Sequence, residues 1–231
     1  MAGTLIISVP RSGSTVYLNQ SFDRASIYDE VFDKKFYSHE HGPRYPKYKF
    51  YVARLRSEVK NNLSYVVKQH PHTTIDKYPD WFPADKCHTI LFLRRNIFEQ
   101  TLSYALARDK LLSRATSVDT VWGGHKDALD YHKFFKPGDH ENTPWYISTK
   151  NYPKYANEIL WKVRDLIKNY RYDEIVWYED HKFKEDALLQ RSKSETISNI
   201  DELKEIWLEQ ISGATVLSQG LHIDELGNIL P

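Results

Sequence analysis

The sequence predicts an α/β protein: an open parallel β-sheet flanked by helices in three layers. Three observations predict it. Short apolar runs alternate with longer stretches of helical spacing, in the order β–loop–α, β, β–α, α–β–α. One run, Thr89-Ile90-Leu91-Phe92-Leu93, is apolar almost throughout, as in a strand buried on both faces of a parallel sheet. The first run passes through a loop of small residues straight into a helix.

Taken in order, residues 4–9 form the first strand, since Leu5-Ile6-Ile7-Ser8-Val9 is apolar and too short for a buried helix. Residues 14–22 follow as a helix. Residues 23–49 lack periodicity, and Gly42, Pro43 and Pro46 break the chain there. Residues 50–62 read as a charged helix and residues 63–67 as the second strand, ending in Lys68-Gln69-His70-Pro71. A short helix is expected between Thr74 and Pro83. The third strand at 89–93 runs into Arg94 and Arg95, and residues 96–112 carry the apolar stripe of a helix. Residues 113–152 are irregular, and a loop of that length in a compact domain is usually functional. Pro153 opens a further helix, whose Ile159, Leu160, Val163, Leu166, Ile167 and Tyr170 repeat at helical spacing. Residues 174–178 are the fourth strand, and residues 183–191 and 200–211 are expected to be helical. No internal repeat or low-complexity linker divides the chain, so residues 1–231 read as a single domain.

Composition narrows the function classes. Thirty-two Lys+Arg against 31 Asp+Glu leave a net charge of +1, so no global field advertises nucleic acid or an anionic membrane. One cysteine, Cys87, excludes an intrachain disulfide framework. The apolar run at the start is too short for a signal segment or a membrane span, which predicts a cytoplasmic protein. His39 and His41 are potential metal ligands, but no third ligand stands at a recognisable spacing, and no metal is expected.

In an open parallel sheet, ligands bind beyond the carboxyl ends of the strands. The loops after the four strands therefore converge there, bringing Arg11–Thr15, Lys68–His70, Arg94–Arg95 and Glu179–His181 to one cleft. The first loop, Pro10-Arg11-Ser12-Gly13-Ser14-Thr15, suits an anion. Helix-start amides and the helix dipole favour negative charge, Gly13 permits close approach, and three hydroxyls and Arg11 surround it. It is not a Walker A loop, because G-x-x-x-x-G-K-[ST] is absent. A second cationic site at Arg94 and Arg95 suits a ligand with two separated anionic groups. Lys68 and His70 alternate at a strand end and share a side. A histidine there has the ordinary titration range for general-base work near neutrality. The aromatic and basic stretch 36–48 suits stacking on a sugar or base, and the loops 36–51 and 113–152 are expected to wall the pocket.

Four segments in this order resemble the sulfotransferases that use 3′-phosphoadenosine 5′-phosphosulfate (PAPS). Pro10-Arg11-Ser12-Gly13-Ser14-Thr15 is similar to the family's first loop, P-[KR]-[ST]-G-[ST]-[ST]. Lys68-Gln69-His70 resembles its K-x-H, and Tyr178-Glu179-Asp180 its Y-E-D. Arg95, followed by Asn96 and by Ser103 eight positions later, resembles its strand-end arginine and helical serine. The resemblance covers residues 4–186.

The resemblance implies a P-loop NTPase-like three-layer fold and PAPS as cosubstrate without a metal. It implies that Ser12, Gly13, Ser14 and Thr15 hold the 5′-phosphate, and that Arg95 with Ser103 holds the 3′-phosphate. Arg11 would meet charge on the bridging oxygen, Lys68 the sulfuryl oxygens, and His70 would take the acceptor's proton, a role some members give to a glutamate. The acceptor is expected to be a small molecule or carbohydrate. The chain departs from the pattern at Arg11, where cytosolic members have Lys, and at Val16, where they have an aromatic that stacks on adenine. The family's late glycine-rich segment has no match after Gly213. Two rivals stand beside this expectation: a nucleotide-dependent phosphotransferase of the same fold, and a nucleotide-binding scaffold without turnover.

Overall fold

A computed structural model describes residues 3–23, 26–38, 42–114, 146–181, 197–211, 216–218, 221–224 and 227–230. The centre is a five-stranded parallel sheet of β1 (Gly3–Ser8), β2 (Ile27–Asp29), β5 (Tyr65–Gln69), β6 (His88–Leu93) and β7 (Glu174–Trp177), in the order β2-β5-β1-β6-β7. Ile6 lies in register with Lys68 on one side and Ile90 on the other. The carboxyl ends of β5, β1, β6 and β7 therefore share one edge of the sheet. Two small antiparallel pieces complete the strands: β3 (Tyr37–Ser38) with β4 (Gly42–Pro43), and β8 (Val216–Ser218) with β9 (Leu221–Ile223) and β10 (Ile229–Leu230).

Strand alternation sorts the core into two layers. Ile6, Val66, Ile90 and Phe92 point to one face and pack with Tyr17 and Leu18 of α1 (Ser14–Ser21). Leu5, Ile7, Val67, Leu91 and Leu93 point to the other. They join a larger cluster with α2 (Pro46–Lys60), α3 (Ile97–Arg114), α4 (Tyr152–Asn169) and α5 (Ile200–Ile211). Helices thus flank the sheet on both faces, the α/β class that the element order predicts.

The differences from expectation have local causes. Strand β2 is only three residues long, and its edge position hides it from pattern reading. Helix α2 starts at Pro46, whose fixed φ suits a first turn, rather than at residue 50. The helix expected between Thr74 and Pro83 is absent. The backbone there lies against residues 32–34 instead, through Lys34 N–H to Thr73 O (2.6 Å), Ile75 N–H to Phe32 O (3.0 Å) and a bridge of Asp33 with Thr74. The short turn Ala84–Lys86 follows it. The expected helix at 183–191, His39, His41 and most of the irregular stretch 113–152 lie outside the described residues. No helix among the described residues is long and apolar enough to cross a membrane.

The tail reaches back to the sheet edge. Ile97 N–H donates to Gly227 O (2.7 Å) and Ile229 N–H to Arg95 O (2.8 Å), with a bridge of Asn96 to Asn228 between them. Gly227 has φ +83, and a Cβ there would stand 2.8 Å from Phe98 Cβ and 3.0 Å from Trp207. A bare backbone is what lets the tail seat on α3.

Candidate functional site

The loop between β1 and α1 turns by two left-handed residues, Arg11 at φ 66 and Gly13 at φ 88. For Arg11 this region is uncommon, and strain of this kind gathers at ligand clamps. Gly13 is required twice over. Its φ suits glycine, and a Cβ would fall 2.4 Å from the Tyr178 ring. Tyr178, from the turn after β7, thus closes one side of the loop. Ser12 is buried, and its hydroxyl has no hydrogen-bond partner. Val16 and Tyr17 N–H donate to Gly13 O (3.0 and 3.1 Å), which leaves the Ser14 and Thr15 amides at the start of α1 without an intrahelical acceptor. An unpartnered hydroxyl beside such amides is a cradle that an anion completes.

A buried charge cluster stands next to the cradle. Lys68, only 2% exposed, places its ammonium 3.2 Å from Thr15 Oγ1, 2.9 Å from Glu30 Oε1 and 2.9 Å from Asp29 Oδ1. Glu30 follows β2 in a left-handed conformation, φ 52, and its N–H donates to Lys68 O at 2.8 Å. Burial alone would raise the Glu30 carboxyl, but Lys68 and His70 hold it well below the usual carboxylate range. Burial would likewise lower the Lys68 ammonium, yet Asp29 and Glu30 raise it above its ordinary value. Lys68 and Glu30 are therefore both ionised throughout the neutral range.

His70 is held at both ring nitrogens. Nδ1 lies 2.8 Å from Ser8 O, with Ser8 Oγ at 3.2 Å, and Nε2 lies 3.0 Å from Glu30 Oε1. A backbone carbonyl only accepts, so the network assigns the hydrogen on Nδ1. The Ser8 hydroxyl in turn donates to Ser14 Oγ at 3.0 Å, which ties the ring to the anion loop.

The arginines are held by different partners. Arg11 Nε donates to Ser103 Oγ at 3.1 Å, and Gln100 of the same helix donates to Pro10 O at 2.9 Å. Ser103 is therefore brought to the loop, not to Arg95. Arg95 forms a two-pronged pair with Asp180 and lies over the Trp177 ring at 5.0 Å. The Asp180 hydrogen bonds raise the Arg95 guanidinium, and Arg95 in turn lowers Asp180. Arg94 lies over Tyr178 at 5.0 Å, with Glu179 Oε1 3.7 Å from its Nε. Glu179 also accepts from the backbone amides of Arg95 (2.8 Å) and Asn96 (3.1 Å), pinning the strand end to the turn after β7.

The structure thus gathers Arg11, Ser12, Gly13, Ser14, Thr15, Lys68, His70 and Ser103 around one loop, and sets Arg95 on Asp180 at its rim. Glu30 and Asp29 escaped the sequence reading. The available signal was the acidic pair after Ile27-Tyr28, where apolar side chains lead to the edge of a sheet. The chain matches no protein-family model and no curated protein.

Proposed function

We propose that the protein transfers a sulfuryl group from PAPS to a hydroxyl or amine of a carbohydrate or small molecule. The observation that carries this reading is the Lys68–Thr15 contact, which joins an anion cradle to a Lys–Glu–His cluster at the ends of adjacent strands. The cradle fits an anionic donor, because the buried Ser12 hydroxyl lacks a partner and stands beside the Ser14 and Thr15 amides at the start of α1. Ser12–Thr15 hold the 5′-phosphate end, Arg11 and Ser103 flank it, and Arg95 meets the 3′-phosphate on leaving Asp180. The donor supplies an activated sulfuryl group. In the transfer, its S–O bond to the phosphate breaks and a new bond forms to the acceptor oxygen or nitrogen.

The acceptor's proton goes to the Glu30–His70 pair. With its hydrogen on Nδ1, His70 keeps the Nε2 lone pair for the incoming proton, which it then shares with Glu30 Oε1 at 3.0 Å, so the two share one role. Lys68 fixes the carboxylate beside the cradle and adds positive charge where negative charge develops. No step calls for a metal in this scheme. Calorimetry with 3′,5′-adenosine bisphosphate tests the reading: binding without magnesium supports it, and preference for magnesium–ATP overturns it in favour of a phosphotransferase. Glu30→Gln is expected to reduce turnover at least tenfold, about 1.4 kcal/mol of barrier, with bisphosphate binding retained.

A second reading, a nucleotide-binding protein without turnover, draws on one observation. Lys68 directs its ammonium to Thr15, Asp29 and Glu30, and so meets the ligand already neutralised. Bisphosphate binding without sulfuryl transfer to a broad acceptor panel would favour it.

A further inference from the structure

The stretch from the end of the Glu30 turn into α2 is unlike the rest of the chain. Residues 42–60 hold six cations, Arg44, Lys47, Lys49, Arg54, Arg56 and Lys60, against a single carboxylate, in a chain of net +1. That carboxylate, Glu58, is buried and accepts from Arg54 at 3.1 Å. Arg44, Lys47 and Lys49 are exposed and sit at the amino end of α2, which has no acidic residue in its first turn. Cations there add to the positive end of the helix dipole, an arrangement that costs stability unless an anion visits. Aromatic rings are set among them. Tyr45 is 49% and Phe50 66% exposed, while Tyr48 stacks on Phe36 at 4.2 Å. Lys35 lies over Phe36 at 5.5 Å and Lys47 over Tyr51 at 5.7 Å.

This surface continues into the candidate site. Asp33 N–H donates to Glu30 O (3.0 Å), Phe36 N–H to Asp33 O (2.9 Å), and Phe36 then carries Tyr48. The Tyr48 hydroxyl is raised first by burial and then by the charges of Glu30, Asp29 and Asp33. A ligand lying on Arg44, Tyr45 and Lys49 thus leads toward the proton-accepting pair, since the Tyr45 ring stands at 6.0 Å from that of Phe36.

We propose that this aromatic and basic surface is the acceptor subsite, and that the acceptor is an anionic carbohydrate, a glycan chain bearing carboxylates or sulfates. The word acceptor rests on the sulfuryl-transfer reading; the ligand class rests on the surface itself. Flat rings offer their faces to the C–H face of a sugar, and interleaved cations meet its acidic groups. A membrane is a poorer occupant. Two exposed rings make a small apolar face, and Ala53, Arg56, Ser57 and Lys60 continue the exposed side of α2.

The test uses the full chain and a chondroitin sulfate octasaccharide, with maltohexaose as neutral control, by calorimetry at low and physiological salt. The octasaccharide should bind, weaken as salt rises, and exceed the neutral sugar. Arg44→Glu with Lys49→Glu should weaken it at least tenfold, and Tyr45→Ala severalfold. All three positions are exposed, and an unchanged melting temperature and unchanged bisphosphate affinity show that fold and cradle are intact. Octasaccharide binding that is absent, or indifferent to these variants, overturns the proposal. So does tighter variant-sensitive binding of duplex DNA or of phosphatidylserine vesicles. Loss of bisphosphate binding with octasaccharide binding preserved would instead sink the sulfuryl-transfer reading and leave the glycan surface standing.

Discussion

Replacing Lys68 by Met isolates the buried charge cluster. The methionine fills a similar volume, so the loss is electrostatic rather than a cavity. It leaves Asp29 and Glu30 facing each other without the ammonium that lies 2.9 Å from each. Removing one partner of a buried pair costs about 3–5 kcal/mol. For a chain of this size about 2–4 °C is lost per kcal/mol, so the melting temperature should fall by about 6–20 °C at pH 7. The pH dependence has a definite sign. Glu30 is lowered in the fold, so its contribution is whole above its unfolded value of about 4.3 and fades as pH falls through the folded value. Lys68 is raised, so its contribution is whole below its unfolded value of about 10.4 and fades only as pH rises through the folded one. The penalty of the substitution should therefore be flat through the neutral range and shrink in acid. Differential scanning calorimetry between pH 3.5 and 9 measures it. A variant within about 2 °C of the parent at pH 7 would refute the idea that the carboxylates depend on this lysine.

Other substitutions probe other parts. Gly13→Ala forces a methyl group into the Tyr178 ring and a non-glycine residue into φ 88. It should cost at least about 1–2 kcal/mol and abolish bisphosphate binding, measured by thermal shift with and without ligand. Pairing it with Tyr178→Ala should recover part of the stability, since the ring clash goes and the backbone strain stays. Trp207→Ala empties a site only 1% exposed against Phe98 and Gly227, and should cost about 3–5 kcal/mol by urea unfolding. Asp180→Ala releases Arg95 from its two-pronged pair and should tighten bisphosphate binding; weaker binding would show that Asp180 orients Arg95 for the ligand.

Legibility followed the length and regularity of each signal. The strands β1, β5 and β6 carry unbroken apolar runs, and the anion loop between β1 and α1 carries its small residues in one short stretch, so both were readable in order. The edge strand β2 spans three residues with one buried side chain, Tyr28, and gives pattern reading nothing to count. Glu30 went unseen for the same reason. Its place in the site depends on a left-handed residue after a strand that the sequence does not announce. The Arg95–Ser103 pairing came from the family resemblance and not from spacing; the Arg11–Ser103 contact was not legible, because it depends on α3 lying against the first loop through Gln100 and Pro10. The Thr74–Pro83 helix failed because those backbone groups found partners at residues 32–34, far away in sequence.

The clasp of Gly227 and Ile229 on Ile97 and Arg95 bears on the order in which the molecule is made. The β1–α1 loop closes locally, within a short span of chain, whereas this clasp joins segments separated by more than half the sequence. Closing so long a loop is slow and its entropy is recovered only when the contact forms. The cradle should therefore mature first and the Arg95 end last. A chain caught between the two stages would already present the cradle to a simple phosphate, yet would lack the fixed Arg95 arm to which the sulfuryl-transfer reading gives the 3′-phosphate. Pulse-labelled hydrogen exchange during refolding would show this as protection at Val16 and Tyr17 preceding protection at Ile97 and Ile229.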